Sequence, residues 1–334
     1  MEIVKIEKNN WYADYIVQWR PLDSCNYDCS YCSPDNHKPI NKKNMSSVDN
    51  LIYAAEKIKK SVAENKSIIT IVTGGEPFLI PDVYKWFDYM SDNNFSIVVF
   101  TNGSLPLKIY EKCKNSFKNL NIKISFHPET ANVEQIVNLA TMIKNNGGEV
   151  EVRGMLVHGL FDKVINLEEK LNSHNIKIIK LPVYPLYNKT TKSVNPPFAS
   201  SRNLKNYSQK VDDGTLNYFS NDELEFIKNI EKEEVLPGYL DIDVVDIDKN
   251  NISYSSAQII YNNLNKFKGW KCNVTNKKIL IQANGDVQYG VCGNDGVVGN
   301  IFSEECKLFD QEFTICKTNE CHVIDEIMIT KFYA

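Results

Sequence analysis

The chain of 334 residues has no apolar run approaching the roughly 18 residues that a membrane-spanning helix needs, so no membrane association is expected. Its first residues, MEIVKIEKNNW, lack the apolar stretch of a secretory signal. An excess of positive charge is missing too. Lys and Arg number 38 against 42 Asp and Glu, a formal net charge of -4. General nucleic-acid binding needs a positive field and is not expected, although one locally basic groove stays open. Without export or membrane signals the expected location is cytoplasmic. In that reducing compartment cysteines ligate metals or clusters more often than they pair. One further absence is local: Cys25, Cys29 and Cys32 are followed by no fourth cysteine before Cys113.

The nine cysteines are unevenly spread. Three lie in CNYDCSYC (25–32), Cys113 is alone, and Cys272, Cys292, Cys306, Cys316 and Cys321 fall near the end. Between these groups the chain alternates. YIVQWR (15–20) reads as a strand running into the cysteine loop. Residues 45–65 have helical periodicity with Ser46 or Ser47 as cap. IITIVTGG (68–75) reads as a buried strand, and Pro81 as the first residue of a second helix. Strands are expected at 96–103, 121–129, 149–157 and 176–183, with helices ending near 117, then at 131–145 and 163–173. The strands are apolar runs, as in a parallel sheet covered by helices. An open sheet and a partial barrel both fit, and in either the chemistry belongs at the carboxyl ends of the strands.

The regularity stops at Tyr184. Residues 184–211 carry five basic side chains and no acidic ones, and read either as a functional loop or as a solvated linker. A helix is expected around 220–234. YLDIDVVD and ISYSSAQII have strand character, and KILIQANGDVQYG (278–290) reads as a hairpin around an Asn-Gly turn.

Three thiolates at C-x3-C-x2-C admit three interpretations. Structural zinc would need a distant donor such as His37. A ferredoxin-type [4Fe–4S] site would need a nearby fourth thiolate. An incomplete cubane would leave one iron open, as a catalytic metal site does for its ligand. GGEP (74–77) ends the second strand, where two glycines permit close approach, Glu76 offers a carboxylate for an amine, and Pro77 stiffens the turn.

The cysteine spacing, Tyr31 before the last cysteine, and GGEP at a strand end together resemble the radical SAM superfamily. The resemblance covers roughly residues 15–183 and implies an α/β fold, a partial (β/α)6 TIM-like barrel. It implies that a [4Fe–4S] cluster on Cys25, Cys29 and Cys32 binds S-adenosylmethionine (SAM) at its open iron and cleaves it to a 5'-deoxyadenosyl radical. Gly74, Gly75, Glu76 and Pro77 would meet the methionine end of SAM, and Tyr31 and Leu181 the adenine. Thr101, Asn102 and Ser125 would meet ribose or carboxylate, and Arg153 the carboxylate.

The C-terminal pattern resembles the SPASM or twitch auxiliary-cluster region, in a small α+β iron–sulfur domain containing the hairpin. Cys272, Asn284-Gly285-Asp286-Val287, Cys292, Gly299-Asn300-Ile301, Cys316 and Cys321 carry this resemblance. It implies one auxiliary [4Fe–4S] cluster on Cys272, Cys292, Cys316 and Cys321. Cys306 is either a substitute ligand or a buried thiol, and structural zinc stays open for this half. The expected organisation is an extension (1–14), the barrel core (15–183), a basic linker and helix (184–238) and the auxiliary domain (239–334).

The expected reaction is hydrogen-atom abstraction leading to oxidation or epimerisation, with a flavodoxin- or ferredoxin-type electron donor. The substrate is expected to be a sugar, aminocyclitol or nucleotide-linked small molecule, or else a short ribosomal peptide. Only 24 residues precede Cys25, so the leader-binding module of many peptide maturases is not expected. His127, Glu129 and Tyr184 are the acid–base candidates. Cys113, in EKCKNSF, reads as an incidental thiol, because a mid-helix position is poor for hydrogen donation. A non-catalytic zinc-bearing binding protein is the competing class.

Overall fold

The computed structural model describes residues 3–8, 13–32, 46–183, 187–188, 193–194, 219–233, 241–246, 250–255, 259, 262–321 and 323–333. Tyr184, His37 and most of the basic segment 184–211 lie outside the described residues.

Strand β1 (Ile3–Lys8) precedes β2 (Tyr15–Trp19). Then α1 (Val48–Lys60), β3 (Ile68–Val72), α2 (Val83–Asp92), β4 (Phe95–Thr101), α3 (Leu107–Glu111) and β5 (Leu120–Phe126) alternate. The alternation continues through α4 (Val133–Asn145), β6 (Glu149–Leu156), α5 (Phe161–Asn172) and β7 (Ile178–Pro182). From β2 to β7 each strand pairs in parallel with the next. The helices place apolar residues one turn apart on the buried face, as with Leu51, Ala54, Ala55 and Ile58 of α1. Ser47 caps α1 by accepting the Asn50 amide at 3.2 Å.

Helix α2 starts later than the sequence indicates. Pro81 stands before the helix in a turn, and Asp82 follows it with φ +55°. Pro77 is the proline that opens a helical turn, the 3-10 segment Pro77–Leu79. There its missing N–H costs nothing.

Short β8 (Tyr187–Asn188) and β9 (Ser193–Val194) form a separate pair, and α6 (Asn221–Glu233) follows. Beyond lie β10 (Asp241–Asp246), β11 (Asn251–Ser255), β12 (Lys271–Cys272), β13 (Lys278–Ile281), β14 (Asp286–Tyr289), β15 (Gly299–Asn300) and β16 (Thr314–Ile315). A short helix α7 (Ile324–Ile327) and β17 (Lys331–Phe332) close the chain. The 278–289 hairpin forms as expected, but β13 also pairs in parallel with β2, so β13, β14 and β15 extend the main sheet to nine strands. Among the described residues that sheet is open, with β15 and β7 as its edges. A second sheet has the order β11-β10-β1-β17-β12-β16, so the N-terminal strand lies among C-terminal ones. None of the described helices is long and apolar enough to cross a membrane.

The two faces of the main sheet differ, as strand alternation dictates. Val17, Trp19, Val72, Ile97, Val99, Ile122, Ile124 and Val152 pack under the helices. The other face carries Lys123, Ser125, Glu151 and Arg153, at most partly buried. Cys113 is fully buried in the helix-side core, in the turn that follows α3 rather than within a helix.

Lys278 of β13 is fully buried and pairs with Asp325 at 2.6 Å and Glu326 at 3.1 Å. Burial opposes its charge, yet the two carboxylates hold its pKa above the ordinary lysine range. This pair ties the extended sheet to α7. Lys278→Met should lower stability by about 3–5 kcal/mol, because it strands two carboxylates. Denaturant unfolding of the metal-free protein checks this.

Candidate active site and the C-terminal thiol group

The cysteine loop leaves the carboxyl end of β2 and is held by residues from three neighbouring strand ends. From β3, the Gly75 amide donates to the Leu22 carbonyl at 2.8 Å and the Glu76 amide to the Ser24 carbonyl at 2.9 Å. A Cβ on Gly75 would stand 1.9 Å from the Ser24 oxygen, so only glycine allows this approach. Gly74, at φ +113°, has a conformation that other residues rarely adopt. The glycines expected to admit a ligand thus admit the chain's own loop.

From β4, the Asn102 amide side chain donates to Cys25 Sγ at 3.4 Å and to Asn26 Oδ1 at 3.0 Å. The Tyr27 amide also donates to Cys25 Sγ, at 3.4 Å. Asn26 in turn donates to Ser104 Oγ at 2.8 Å. From β5, Glu129 accepts the Ser30 amide at 2.9 Å and the Ser30 hydroxyl at 2.5 Å. His127 Nδ1 and the Tyr31 hydroxyl are 2.7 Å apart, with their rings stacked. His127 and Glu129, expected as an acid–base pair, are therefore engaged in gripping the loop. Burial pushes the His127 pKa down to about 4, so the imidazole is neutral at pH 7.

Glu76 has its own set of partners. Its carboxylate is fully buried and accepts from Thr101 Oγ1 at 2.9 Å, the Asn102 amide at 2.7 Å and the Phe78 amide at 3.1 Å. It braces the ends of β3 and β4. Thr101 is buried by the same bonds, and Asn102 faces Cys25 rather than an open cleft. Burial raises the Glu76 pKa to about 7, against the hydrogen bonds that lower it.

Tyr31 and Cys29 are buried with Met155 and Val157, and Leu181 packs against them, as an apolar flank beside the loop. Ser125 and Arg153 are cross-strand partners on β5 and β6. Arg153 bonds Glu151 at 2.6 Å and covers the Phe100 ring at 4.9 Å. Glu151 also bonds Lys123 at 2.9 Å. Burial works to raise the Glu151 pKa, but the two cations hold it below the usual carboxylate value. Asn26, Ser30 and Ser104 escaped the sequence reading. Two of them stand inside C-x3-C-x2-C, a position that could have flagged them.

A second group forms near the C-terminus. Cys272 lies across from Thr314 and Lys331 in the second sheet. The Cys316 amide donates to Trp270 O at 2.8 Å and the Cys321 amide to Asn265 O at 2.9 Å. The turn bearing Cys292 is pinned by Val291 N–H to Glu326, by Thr314 Oγ1 to Asp295 at 3.0 Å, and by the Lys317 amide to Asn294 at 3.2 Å. Burial raises the Cys272 thiol and pushes Cys292 and Cys321 up to about 12. Glu326 and the neighbouring thiols of the group add to this. Such thiols ionise only when a cationic centre binds them. Cys306 stands apart, in the helix-side core against Gly299.

Comparison with known proteins decides the family. The radical SAM superfamily model matches residues 19–185. The chain belongs to the radical SAM superfamily. Its members use a [4Fe–4S] cluster and SAM, and they are enzymes. Over 68 residues the chain is 34% identical to GTP 3',8-cyclase of Vibrio atlanticus, covering 20% of each protein. Over 109 residues it is 29% identical to a UPF0026 protein of Methanocaldococcus jannaschii, covering 32% of this chain and 33% of that one. It thus spans about a fifth to a third of these curated relatives. In fold it is similar to Streptococcus suis SuiB bound to precursor peptide SuiA, with TM-score 0.54 and 14% identity over 90% of this chain and 65% of that one. It is likewise similar to anSMEcpe with bound AdoMet, with TM-score 0.53 and 13% identity over 89% and 77%.

The loop fits a radical SAM cluster on the chemistry of its donors. It offers three thiols, and two N–H groups are aimed at one of the sulfurs. Two checks follow. Glu129→Ala frees both Ser30 donors, and a charged hydrogen bond is worth enough to cut iron affinity roughly tenfold. Chelator competition measures this. For Glu76, the folded pKa lies above the unfolded one, so its burial costs stability as pH rises from 4.5 to 7. The stability of the metal-free wild type relative to Glu76→Gln should therefore fall over that window. The His127 contribution has the opposite slope and cancels in the difference. Urea unfolding at stepped pH reads it.

Proposed function

We propose that Cys25, Cys29 and Cys32 hold the [4Fe–4S] cluster of a radical SAM enzyme that oxidises an anionic small molecule by removing hydrogen from carbon. A phosphorylated or nucleotide-linked sugar or aminocyclitol has the required character. The observation that carries the site is the convergence of the β3, β4 and β5 ends on the cysteine loop. Bound there, the cluster and SAM supply the one-electron reduction and the hydrogen-atom acceptor.

The chain's own residues do the positioning. Asn102 and the Tyr27 amide stabilise the Cys25 thiolate and fix its direction. Arg153 and Ser125 offer a cation and a hydroxyl for the SAM carboxylate. Tyr31, Met155, Val157 and Leu181 form an apolar flank that receives adenine and keeps water from the reacting carbon. The segment 184–211, with five basic side chains and no acidic ones in its sequence, supports an anionic substrate.

Oxidation is favoured over epimerisation because Cys113 and Cys306 are both buried on the helix side. Neither can return a hydrogen atom to the opposite face. The electron left over from an oxidation then needs an acceptor. We assign that role to a second [4Fe–4S] cluster on Cys272, Cys292, Cys316 and Cys321. A one-electron donor of the flavodoxin or ferredoxin class completes the cycle. A ribosomal peptide is the second reading, favoured by the fold shared with peptide-bound SuiB across most of the chain.

Anaerobically purified protein should be brown with about eight irons, four per cluster. Replacing Cys25, Cys29 and Cys32 by Ser should leave about half of the iron. Zinc without iron contradicts the proposal. With reductant and SAM, an anionic sugar substrate should raise 5'-deoxyadenosine above its background by mass spectrometry, and peptides should not.

A further inference from the structure

Two lysines are buried near the C-terminal thiol group, and they are neutralised differently. Lys278 has two carboxylates. Lys331, 1% exposed, has carbonyls instead: its ammonium donates to Glu326 O, to Ile329 O at 3.0 Å and to Ile327 O at 3.5 Å. It also stands 5.3 Å from the centre of the Phe267 ring. Carbonyl dipoles and an aromatic face solvate a cation, but they do not cancel its charge. Burying an ammonium so held is costly unless an anion lies close by.

The register supplies the anion. Lys331 on β17 is the direct cross-strand partner of Cys272 on β12. Phe267, which the ammonium covers, packs in one apolar cluster with Cys316 and Cys321. The lysine therefore sits at the edge of the four-thiol group. Four thiolates around a [4Fe–4S] core make an anion, and reduction makes it more negative. A fixed cation beside it favours the reduced form, since cluster potential follows net charge and surrounding polarity.

We propose that Lys331 is a positioning residue for charge: the buried counter-cation of the C-terminal four-thiolate cluster, set there to raise its reduction potential. This rests on the assignment of that cluster to Cys272, Cys292, Cys316 and Cys321. With a raised potential the cluster is suited to accept an electron from an oxidised substrate, rather than to deliver one to SAM.

The test uses the full chain carrying Cys25→Ser, Cys29→Ser and Cys32→Ser, reconstituted with iron and sulfide, so that one cluster is observed. Its midpoint is read by redox titration followed with electron paramagnetic resonance. Lys331→Met should lower the reduced-to-oxidised ratio at fixed potential at least about tenfold, which is 59 mV for one electron. Lys331→Arg should stay near the parent. An unchanged midpoint in an iron-loaded Lys331→Met protein overturns the inference. If that variant loses its cluster, Glu326→Gln decides. Removing this neighbouring carboxylate should raise the midpoint, and an unchanged value overturns the inference as well. A parent that binds no iron is a different failure: it overturns the four-thiolate assignment itself.

Discussion

A Cβ at position 75 would lie 1.9 Å from the Ser24 carbonyl oxygen, and its absence lets two strand ends close on each other. The Gly75 and Glu76 amides extend the β2–β3 ladder past the sheet and into the cysteine loop. That contact places Ser24, and hence Cys25, within reach of β4. Glu76 then spends its carboxylate on Thr101, Asn102 and Phe78, which aims Asn102 at the Cys25 sulfur. The loop is thus located by backbone bonds and locked by side chains from two further strands. A site built this way has little freedom to change its spacing, as a ligand of fixed geometry requires.

The order of the chain separates stability from chemistry. Each strand gives alternate residues to the helix-side core and to the opposite face. The first set is almost wholly apolar, and the two thiols with no assigned ligand role, Cys113 and Cys306, pack into the same core from segments between the regular elements. The second holds Lys123, Glu151, Arg153 and Ser125 in paired positions on β5 and β6. Charged groups can stand on a sheet because that face is partly open. Burial elsewhere is answered by compensation: Glu76 has three donors and Lys278 two carboxylates.

Much of the parallel array is legible in the sequence, because each strand is a short apolar run and each helix carries its own period. The cysteine spacing and GGEP also name the family without coordinates. Partnerships over long separations are less legible. Nothing local in KILI indicates that it pairs with YIVQW, some 260 residues earlier, or that Ile3–Lys8 lies among C-terminal strands. Residue types at strand ends indicate function but not its kind. Glu76 reads as a ligand for an amine, and His127 with Glu129 as an acid–base pair. In the fold Glu76 accepts from the end of β4, while His127 and Glu129 bond the cysteine loop, partners that are not adjacent in the sequence. Lys331 shows no signal at all in KFYA, since its burial depends on the register of β17 against β12.

The central claim is that the loop at residues 25–32 leaves one iron free for SAM. Mössbauer spectroscopy of the protein with Cys292→Ser and Cys316→Ser, which isolates the loop cluster, tests this most directly. The account predicts one iron distinct from the other three, with parameters that shift when SAM is added. Four equivalent irons, or a spectrum indifferent to SAM, would contradict it.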